Sequence, residues 1–271
     1  MIRDITIGQY YPADSVVHRL DPRVKLMGTI VFLISLFLFD SFAGYIVATL
    51  FLGCAIWLSK VPLKFMLKGL KAIFMLLAIS VIFNLFLTDG VVVVQIWKLK
   101  ITREGIRMAV FMAIRLVYLI LGSSLMTLTT TPNDLTDGME KALSPLRKLR
   151  VPVHEISMMM SIALRFIPIL LEETDKIMKA QQARGADFES GNLIQRAKSM
   201  IPILVPLFIS AFRRANDLAM AMEARCYRGG EGRTKMKPLQ YKKRDYITYG
   251  VYIGYLLAVI GVNFALQRWL I

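Results

Sequence analysis

Five runs of predominantly apolar residues, each close to the length of a membrane-spanning helix, constrain this chain more than any other feature. A helix needs about 20 such residues to cross roughly 30 Å of hydrocarbon. The runs cover residues 24–39, 42–58, 70–87, 105–127 and 247–266. Hydrophobic residues make up 56% of the 271 positions, which is too apolar for an ordinary soluble domain. We therefore predict an all-α membrane protein with about five transmembrane helices.

The distribution of lysine and arginine predicts the orientation of these spans. Of the 34 basic residues, 20 lie between positions 132 and 244, and others lie in the N-terminal tail and in the loop that begins at Lys60. If the spans alternate, all three segments fall on one side, which the positive-inside rule makes cytoplasmic. This rule, together with attraction to anionic lipid, accounts for the net charge of +15, so we expect the lipid bilayer and no nucleic acid as a partner. Four basic residues oppose this orientation: Lys98, Lys100, Arg103 and Arg107.

The apolar runs divide the chain into three parts. Residues 1–130 hold four predicted spans, with a short hairpin at the outer surface near residues 91–102, whose β-branched side chains suit strands. Residues 131–235 form a helical region on the cytoplasmic side, and residues 236–271 hold the last span. A long basic section that does not cross the bilayer therefore interrupts the spans.

Two short sequences predict helix starts. Asp21-Pro22 reads as an N-cap followed by proline at the first helical position. Thr-Pro-Asn-Asp at residues 131–134 predicts a helix that Pro145 and Pro152 bracket at its far end. The first of these helices leads into a span, and the second opens the basic section.

Two long helical segments are predicted within the basic section, over residues 154–184 and 192–225. Apolar residues of the first recur at intervals of three and four, which indicates an amphipathic helix. The longest uncharged runs are residues 166–171 in the first segment and 200–212 in the second, both short of spanning length. We therefore expect long amphipathic helices that lie along the membrane surface or dip into it.

The two segments share two short, related sequences. Ile-Pro-Ile-Leu occurs at residues 167–170 and again at 201–204, and Ala183-Arg184-Gly185 is echoed by Ala224-Arg225-Cys226. The spacing from proline to arginine is 16 residues in the first copy and 23 in the second. The difference is two helical turns, so both arginines keep nearly the same face. The alternative is that each arginine only complements the negative end of its helix dipole, with Gly185 as the residue that lets the chain turn.

Cys226 stands where the first copy has Gly185. Because cysteine adopts left-handed backbone angles less readily than glycine, we expect the second helix to continue past Arg225, towards Gly229 and Gly230. This expectation concerns the geometry of the helix end and does not change the role considered for the arginine.

Three stretches of the chain carry a resemblance to a known family. Residues 18–26 read His-Arg-Leu-Asp-Pro-Arg-Val-Lys-Leu, and residues 163–168, Ala-Leu-Arg-Phe-Ile-Pro, are followed at 180–185 by Ala-Gln-Gln-Ala-Arg-Gly. Residues 221–229 read Ala-Met-Glu-Ala-Arg-Cys-Tyr-Arg-Gly. The first stretch resembles the sequence before the first span, and the others resemble the two coupling-helix motifs, of the transmembrane (T) component of energy-coupling factor (ECF) transporters for cobalt, biotin and vitamins. The combination is specific, whereas one Ala-Arg motif alone would be weak.

The resemblance implies a multi-pass protein of a prokaryotic plasma membrane, which acts as the scaffold and energy-coupling subunit of an ABC-type vitamin importer. Such a component docks two coupling helices on two ABC-type ATPase subunits and holds a small membrane substrate-binding (S) subunit. By this resemblance Ala183-Arg184-Gly185 and Ala224-Arg225-Cys226 contact the ATPases, where each arginine pairs with acidic side chains. Arginine suits such a contact because it is always charged and binds carboxylates through two parallel hydrogen bonds.

No catalytic residue, metal site or cofactor is expected in this chain. It contains no Gly-x-x-x-x-Gly-Lys-Ser/Thr loop, so ATP and Mg would be bound by the partner ATPases. No metal site is expected from the cysteines and histidines, which lie apart in the sequence: Cys54, Cys226, His18 and His154.

Three prolines lie within the predicted coupling helices, namely Pro168, Pro202 and Pro206. Proline removes a backbone hydrogen bond and bends a helix, so these residues would let the apolar faces follow the S subunit. The alternative is that they only shape packing, since prolines are common in membrane-adjacent helices.

Two other functions fit parts of the sequence. Arg115 and Asn84 are polar groups within predicted spans, which indicates a self-sufficient permease that binds its own substrate. Both side chains can equally pair with backbone carbonyls, or with each other, to hold the bundle together. Glu-Glu-Thr-Asp at residues 172–175 indicates a membrane enzyme for lipid or prenyl substrates, although on a helix these side chains point around the cylinder rather than converging.

Overall fold

The structure is a computed structural model that describes residues 10–38, 42–96, 99–188, 192–229, 236 and 238–269. In chain order the α-helices of these residues are α1 Pro22–Ser35, α2 Phe42–Ser59, α3 Leu63–Leu87, α4 Arg103–Thr129, α5 Pro132–Ala142, α6 Val153–Ala183, α7 Leu193–Ser199, α8 Ile201–Ala224 and α9 Lys243–Trp269. A 3-10 helix, Ser144–Leu149, lies between α5 and α6. The predicted hairpin is formed by β1 Val92–Ile96 and β2 Leu99–Thr102, which pair antiparallel.

The predicted all-α membrane fold is confirmed. Among the described residues, four helices are long and apolar enough to cross a membrane, or five if the two limbs of α3 count as one span. Those limbs, Leu63–Lys71 and Ile73–Leu87, meet at an angle of 63°. The chain divides into two compact units. One comprises Glu140–Pro238 and contains α6 and α8; the other, the bundle unit, comprises Gly8–Met139 and Leu239–Ile271.

Two helices differ from their predicted role as spanning or non-spanning segments. α1 has only 14 residues, about 21 Å of helix, so the predicted span over residues 24–39 is not one continuous α-helix. The backbone tightens after α1, where the N–H groups of Phe37 and Leu38 bond to carbonyls three residues back. The side-chain amide of Asn263 in α9 donates to the carbonyl oxygen of Leu38 at 2.6 Å, so this carbonyl at the end of the turn has a hydrogen-bond donor.

α6 is the second difference. It has 31 residues and passes the test of length and composition for a membrane span. The expectation that the apolar residues of this segment fall short of spanning length is therefore wrong, because Arg165 is the single charged residue within residues 156–171. That the helix lies on the cytoplasmic side without crossing the bilayer stays a prediction. Its amphipathic pattern still distinguishes it from α2 and α9, which are apolar on all sides.

The second coupling segment is also not continuous. The sequence predicted one helix over residues 192–225, whereas the structure has α7 up to Ser199 and a new helix from Ile201. Pro202 lies in the first turn of α8, where a backbone N–H would have no acceptor within the helix, so its absence costs no hydrogen bond. Pro202 is thus part of a helix start, whereas Pro168 and Pro206 lie inside α6 and α8.

Aromatic residues form the core of the bundle unit. The Phe51 ring of α2 stacks on those of Phe32 in α1 and Tyr255 in α9, with ring centroids 4.3 Å apart for Phe51 and Tyr255. The Tyr255 hydroxyl and Ser35 Oγ share a buried hydrogen bond of 2.7 Å. α1 and α9 approach so closely that a side chain at Gly28 would overlap the Tyr252 ring. These contacts bring the start of α9 beside the start of α1.

Candidate functional site

α6 and α8 pack as an antiparallel hairpin. Tyr227, just after α8, donates from its hydroxyl to Met158 Sδ near the start of α6 at 3.2 Å. Midway, Arg214 pairs with Glu173 at 2.8 Å. The residue pairs run in opposite directions along the two helices, so the helix C-termini lie at opposite ends of the hairpin. At 1.5 Å per residue, the 26 residues from Met158 to Arg184 span roughly 40 Å.

The two helices end in the same way. Arg184 is the C-cap of α6, and the N–H groups of Gly185 and Ala186 bond to the carbonyls of Gln182 and Gln181 at 2.9 and 3.0 Å. This pair of bonds, five-to-two and six-to-one, is the Schellman motif.

At the end of α8, Arg225 is the C-cap, and the N–H groups of Cys226 and Tyr227 bond to the carbonyls of Glu223 and Met222 at 2.8 and 3.0 Å. The register of the bonds is identical to that at α6. Both arginines therefore occupy the same position of the same motif, which is a closer match than a shared tripeptide requires.

Cys226 takes the backbone conformation that was not expected of it. Its φ is +56°, and that of Gly185 is +88°. The expectation that α8 continues past Arg225 towards Gly229 is therefore wrong, since the helix ends at Ala224. The two backbone bonds of the Schellman motif offset the cost of a left-handed cysteine, which is of order 1 kcal/mol.

Both arginines are exposed, and within the described part of the chain neither guanidinium makes a hydrogen bond or ion pair. A cleft of about 270 Å³ lies beside Arg225 and is lined by Met158, Met222, Cys226, Tyr227, Arg228 and Gly229. A second cleft of about 310 Å³ runs between α6 and α8, where Phe166, Leu170 and Leu218 line it. Each arginine is thus a free cation at the end of an ordered helix.

A broad apolar surface accompanies these two cations on the hairpin. Its members are large, hydrophobic and exposed, and they lie on both helices: Ile156, Met159, Met160, Ile167, Leu204, Val205, Phe208, Ile209, Phe212 and Met220. Large apolar patches are rare on monomeric soluble proteins, so this many exposed apolar side chains on two packed helices indicate contact with lipid or with another protein.

The acidic cluster at residues 172–175 is taken up by ion pairs. Glu173 binds Arg214 of α8, and Asp175 binds Lys179 one turn later at 2.8 Å. The Glu173 pair links α6 to α8, whereas the Asp175 pair lies within α6, so these two carboxylates have separate partners and do not converge on a common point.

The polar groups of the predicted spans are likewise engaged with the bundle. Arg115 Nε donates to the Tyr45 hydroxyl at 3.2 Å, and its guanidinium lies 5.2 Å from the centroid of the Phe37 ring. Asn84 donates to the backbone carbonyl of Ser80, four residues earlier in α3, at 2.8 Å. Both contacts fit a structural role better than a substrate site.

Sequence reasoning missed a set of buried charges, which we call the N-terminal junction: Asp21, Lys25 and Asp245. The Asp245 carboxylate, at the start of α9, accepts from the N–H of Asp21 at 3.0 Å and from that of Lys242 at 2.7 Å. Asp21 in turn caps α1 by accepting from the N–H of Arg23 at 2.9 Å, as predicted. Carboxylates therefore join the N-termini of two helices that are far apart in the sequence.

Lys25 completes the junction from inside α1. Its ammonium donates to the carbonyl of Thr129, the last residue of α4, at 2.7 Å, and to that of His18 at 3.0 Å. The carbonyls at the end of a helix have no partner within the helix, so this buried cation satisfies one of them. In the sequence, Lys25 is one of the basic residues of the N-terminal tail, which were assigned to the cytoplasmic side. The only available signal for Asp245 was its position as a single acid after three basic residues.

Comparisons with known proteins agree with the resemblance. The family model described as cobalt transport protein, CbiQ, matches residues 13–236. The energy-coupling factor transporter transmembrane protein EcfT of Clostridium kluyveri is 60% identical over 91% of this chain and 92% of its own length. The proteins of the same name from Ruminiclostridium cellulolyticum and Bacillus subtilis are 55% and 49% identical, over 97% and 90% of this chain and 99% and 93% of their own. This chain therefore belongs to the CbiQ cobalt transport protein family, as a transmembrane component of an energy-coupling factor transporter.

Proposed function

We propose that the hairpin of α6 and α8 couples two ABC-type ATPase subunits to a small membrane subunit that binds a vitamin or related micronutrient. The observation that supports this proposal is the pair of identical helix ends, each with an exposed arginine, at opposite ends of one hairpin. A cation that only complements a helix dipole acts from anywhere in the last turn. Here both arginines stand at the C-cap itself, followed by a left-handed residue.

Each arginine would enter a groove on one ATPase subunit and pair there with carboxylates. The Schellman bonds fix the direction of each helix end, so little conformational freedom remains to be lost on binding. A bidentate contact with a carboxylate also demands a fixed orientation, which a guanidinium on a rigid end supplies. The opposite placement of the two ends allows one chain to reach two separate subunits.

Transmission would use the contacts between the two helices. The ion pair of Arg214 with Glu173 and the contact of Tyr227 with Met158 link α6 to α8 at two levels. A displacement imposed on one end by ATPase closure would therefore move both helices. Pro168 and Pro206, inside the helices, would allow the bends that this motion requires.

The S subunit would lie against the exposed apolar surface of the hairpin. A partner that is itself a membrane protein suits this surface, because the described residues of this chain leave its large apolar side chains exposed. ATP and Mg would be bound by the ATPases, and this chain would be non-catalytic. The basic segments favour a plasma-membrane protein with its N-terminus in the cytoplasm.

Co-purification with the ATPases tests the proposal directly. Arg184→Ala and Arg225→Ala should each weaken assembly, and the double variant should abolish ATPase binding and uptake, since truncating a central interface arginine costs about 2 kcal/mol or more. Arg196→Ala, an exposed arginine of α7 in the same basic section, is the matched control and should assemble normally. Full assembly and unimpaired uptake in the double variant would refute the role of the two arginines.

A further inference from the structure

Two adjoining clefts open at the end of the bundle unit where α1 and α9 begin and α2 ends. The first has a volume of about 550 Å³ and carries charged side chains on its walls: Asp14, Arg19, Lys60 and Arg244. The second, of about 190 Å³, lies between α1, α2, α4 and α9. Val16 and Leu58 line both clefts, so the two form one groove with a polar and an apolar part.

The polar part has an excess of positive charge. Asp14 pairs with Arg19, and this contact holds the pKa of the Asp14 carboxyl below its ordinary value, so these two charges cancel. Lys60 and Arg244 remain. Arg244 Nε is buried and has no hydrogen-bond partner among the residues that the structure describes. Since Lys60 and Arg244 both line the cleft, an anionic group bound there would lie beside two cationic side chains that can donate charge-assisted hydrogen bonds.

The apolar part has the character of a site for a hydrocarbon chain. Phe51, Leu52, Val251 and Tyr252 line it, and the ammonium of Lys25, which also borders it, is already bonded to two carbonyls. Trp57, on the wall of the polar part, is 79% exposed. Tryptophan is enriched where a membrane protein meets the headgroup region, so Trp57 favours a position of the polar part near lipid phosphates.

We propose that this groove is a binding site for an anionic phospholipid of the cytoplasmic leaflet. The phosphate lies between Lys60 and Arg244, and one acyl chain follows the apolar part between α2 and α9. Basic pockets between spans on the cytoplasmic side are suited to anionic headgroups, and 550 Å³ is within the roughly 300–1,000 Å³ usual for small-molecule sites. A lipid held there would connect the end of α2 to the first turn of α9.

Native mass spectrometry of the full chain, purified in mild detergent and supplied with phosphatidylglycerol or phosphatidylcholine, tests this site. We expect phosphatidylglycerol to bind in preference. Lys60→Gln and Arg244→Gln should each weaken it about fivefold, because one basic residue near an anionic headgroup contributes ~1 kcal/mol. Lys64→Gln is the matched control: it removes the same charge four residues away, lines neither cleft, and should leave binding unchanged.

Competition with glycerol phosphate distinguishes a bound phospholipid from a bound free phosphate. Glycerol phosphate has the headgroup chemistry without acyl chains, so it should not displace phosphatidylglycerol. Equal binding of the two lipids, an equal loss in Lys64→Gln, or displacement by glycerol phosphate at comparable concentration would each overturn the proposal. Lys60 is exposed at the end of α2, so Lys60→Gln tests the site even if Arg244→Gln impairs folding.

Discussion

The N-terminal junction and the two ends of the hairpin both depend on single charges, and the two regions treat those charges in opposite ways. In the junction, Asp245 is 1% exposed and Lys25 is 7% exposed, and each bonds to backbone groups of other segments. Arg184 and Arg225 are exposed and have no partner among the described residues. A charge that the chain encloses and hydrogen-bonds therefore holds helices together, whereas an exposed charge on an ordered helix end is available to another protein.

The largest effect that tests this contrast is expected at Asp245. Asp245→Ala removes two hydrogen bonds to a carboxylate and leaves the N–H groups of Asp21 and Lys242 without their acceptor. We expect a loss of about 3 kcal/mol in the free energy of unfolding. Thermal unfolding of the purified chain in detergent measures it, with Arg184→Ala as a control that should change stability by less than about 0.5 kcal/mol. Equal losses in the two variants would remove the distinction between the regions.

A smaller, opposite pair of effects is expected at the hairpin ends. Gly185→Ala places a side chain at φ +88° and should cost about 1 kcal/mol, whereas Cys226→Gly relieves a left-handed cysteine and should stabilise by a similar amount. Thermal unfolding of both variants shows the signs. Because Cys226→Gly keeps Arg225 at the C-cap, binding to the ATPases should not change. Reduced binding in that variant would mean that the cysteine side chain itself contacts the partner.

The smallest effect concerns pH and His18, whose ring bonds to Ser15 Oγ at 2.7 Å and to the carbonyl of Tyr11 at 3.0 Å. Burial lowers the pKa of His18 below its ordinary value of 6.5. The unfolded chain therefore binds a proton at a higher pH than the folded chain does. The stability that this histidine contributes is complete above pH 6.5 and is lost as the pH falls through its lowered pKa.

Melting temperatures measured between pH 5 and 7.5 should therefore decrease on the acid side, and the decrease should be smaller in His18→Gln. An unchanged decrease in that variant would assign the pH dependence to other groups. A decrease that depends on His18 would show that a neutral side chain also stabilises the residues that contact the N-terminal junction.

The sequence predicted those features that depend on local pattern. Apolar runs located α2, α4 and α9, Asp21-Pro22 located the start of α1, and the β-branched stretch located the hairpin of β1 and β2. These signals lie within about 20 residues, and no distant segment is needed to interpret them.

The features that were missed depend on distant contacts or on competition between small energies. The role of Asp245 arises only when α9 packs beside α1, which no local pattern shows. Whether α8 ends before Cys226 depended on two opposing energies: two backbone hydrogen bonds favour the end, and the strained φ of Cys226 opposes it. The hydrogen bonds are the larger effect, since the helix ends there. The break before Ile201 was missed because proline is compatible both with the first turn of a helix and with a bend inside one, and Pro202 lies in a first turn.

The antiparallel packing of α6 and α8 has a consequence for symmetry. Two antiparallel helices that end in the same motif are related by an approximate two-fold axis across the hairpin, and the two short repeats, Ile-Pro-Ile-Leu and Ala-Arg, occur once in each helix. A single polypeptide can thereby present equivalent surfaces to a dimer of partners without being a dimer itself. Each half of this local dyad is also free to diverge, and Gly185 opposite Cys226 is a visible case of such divergence.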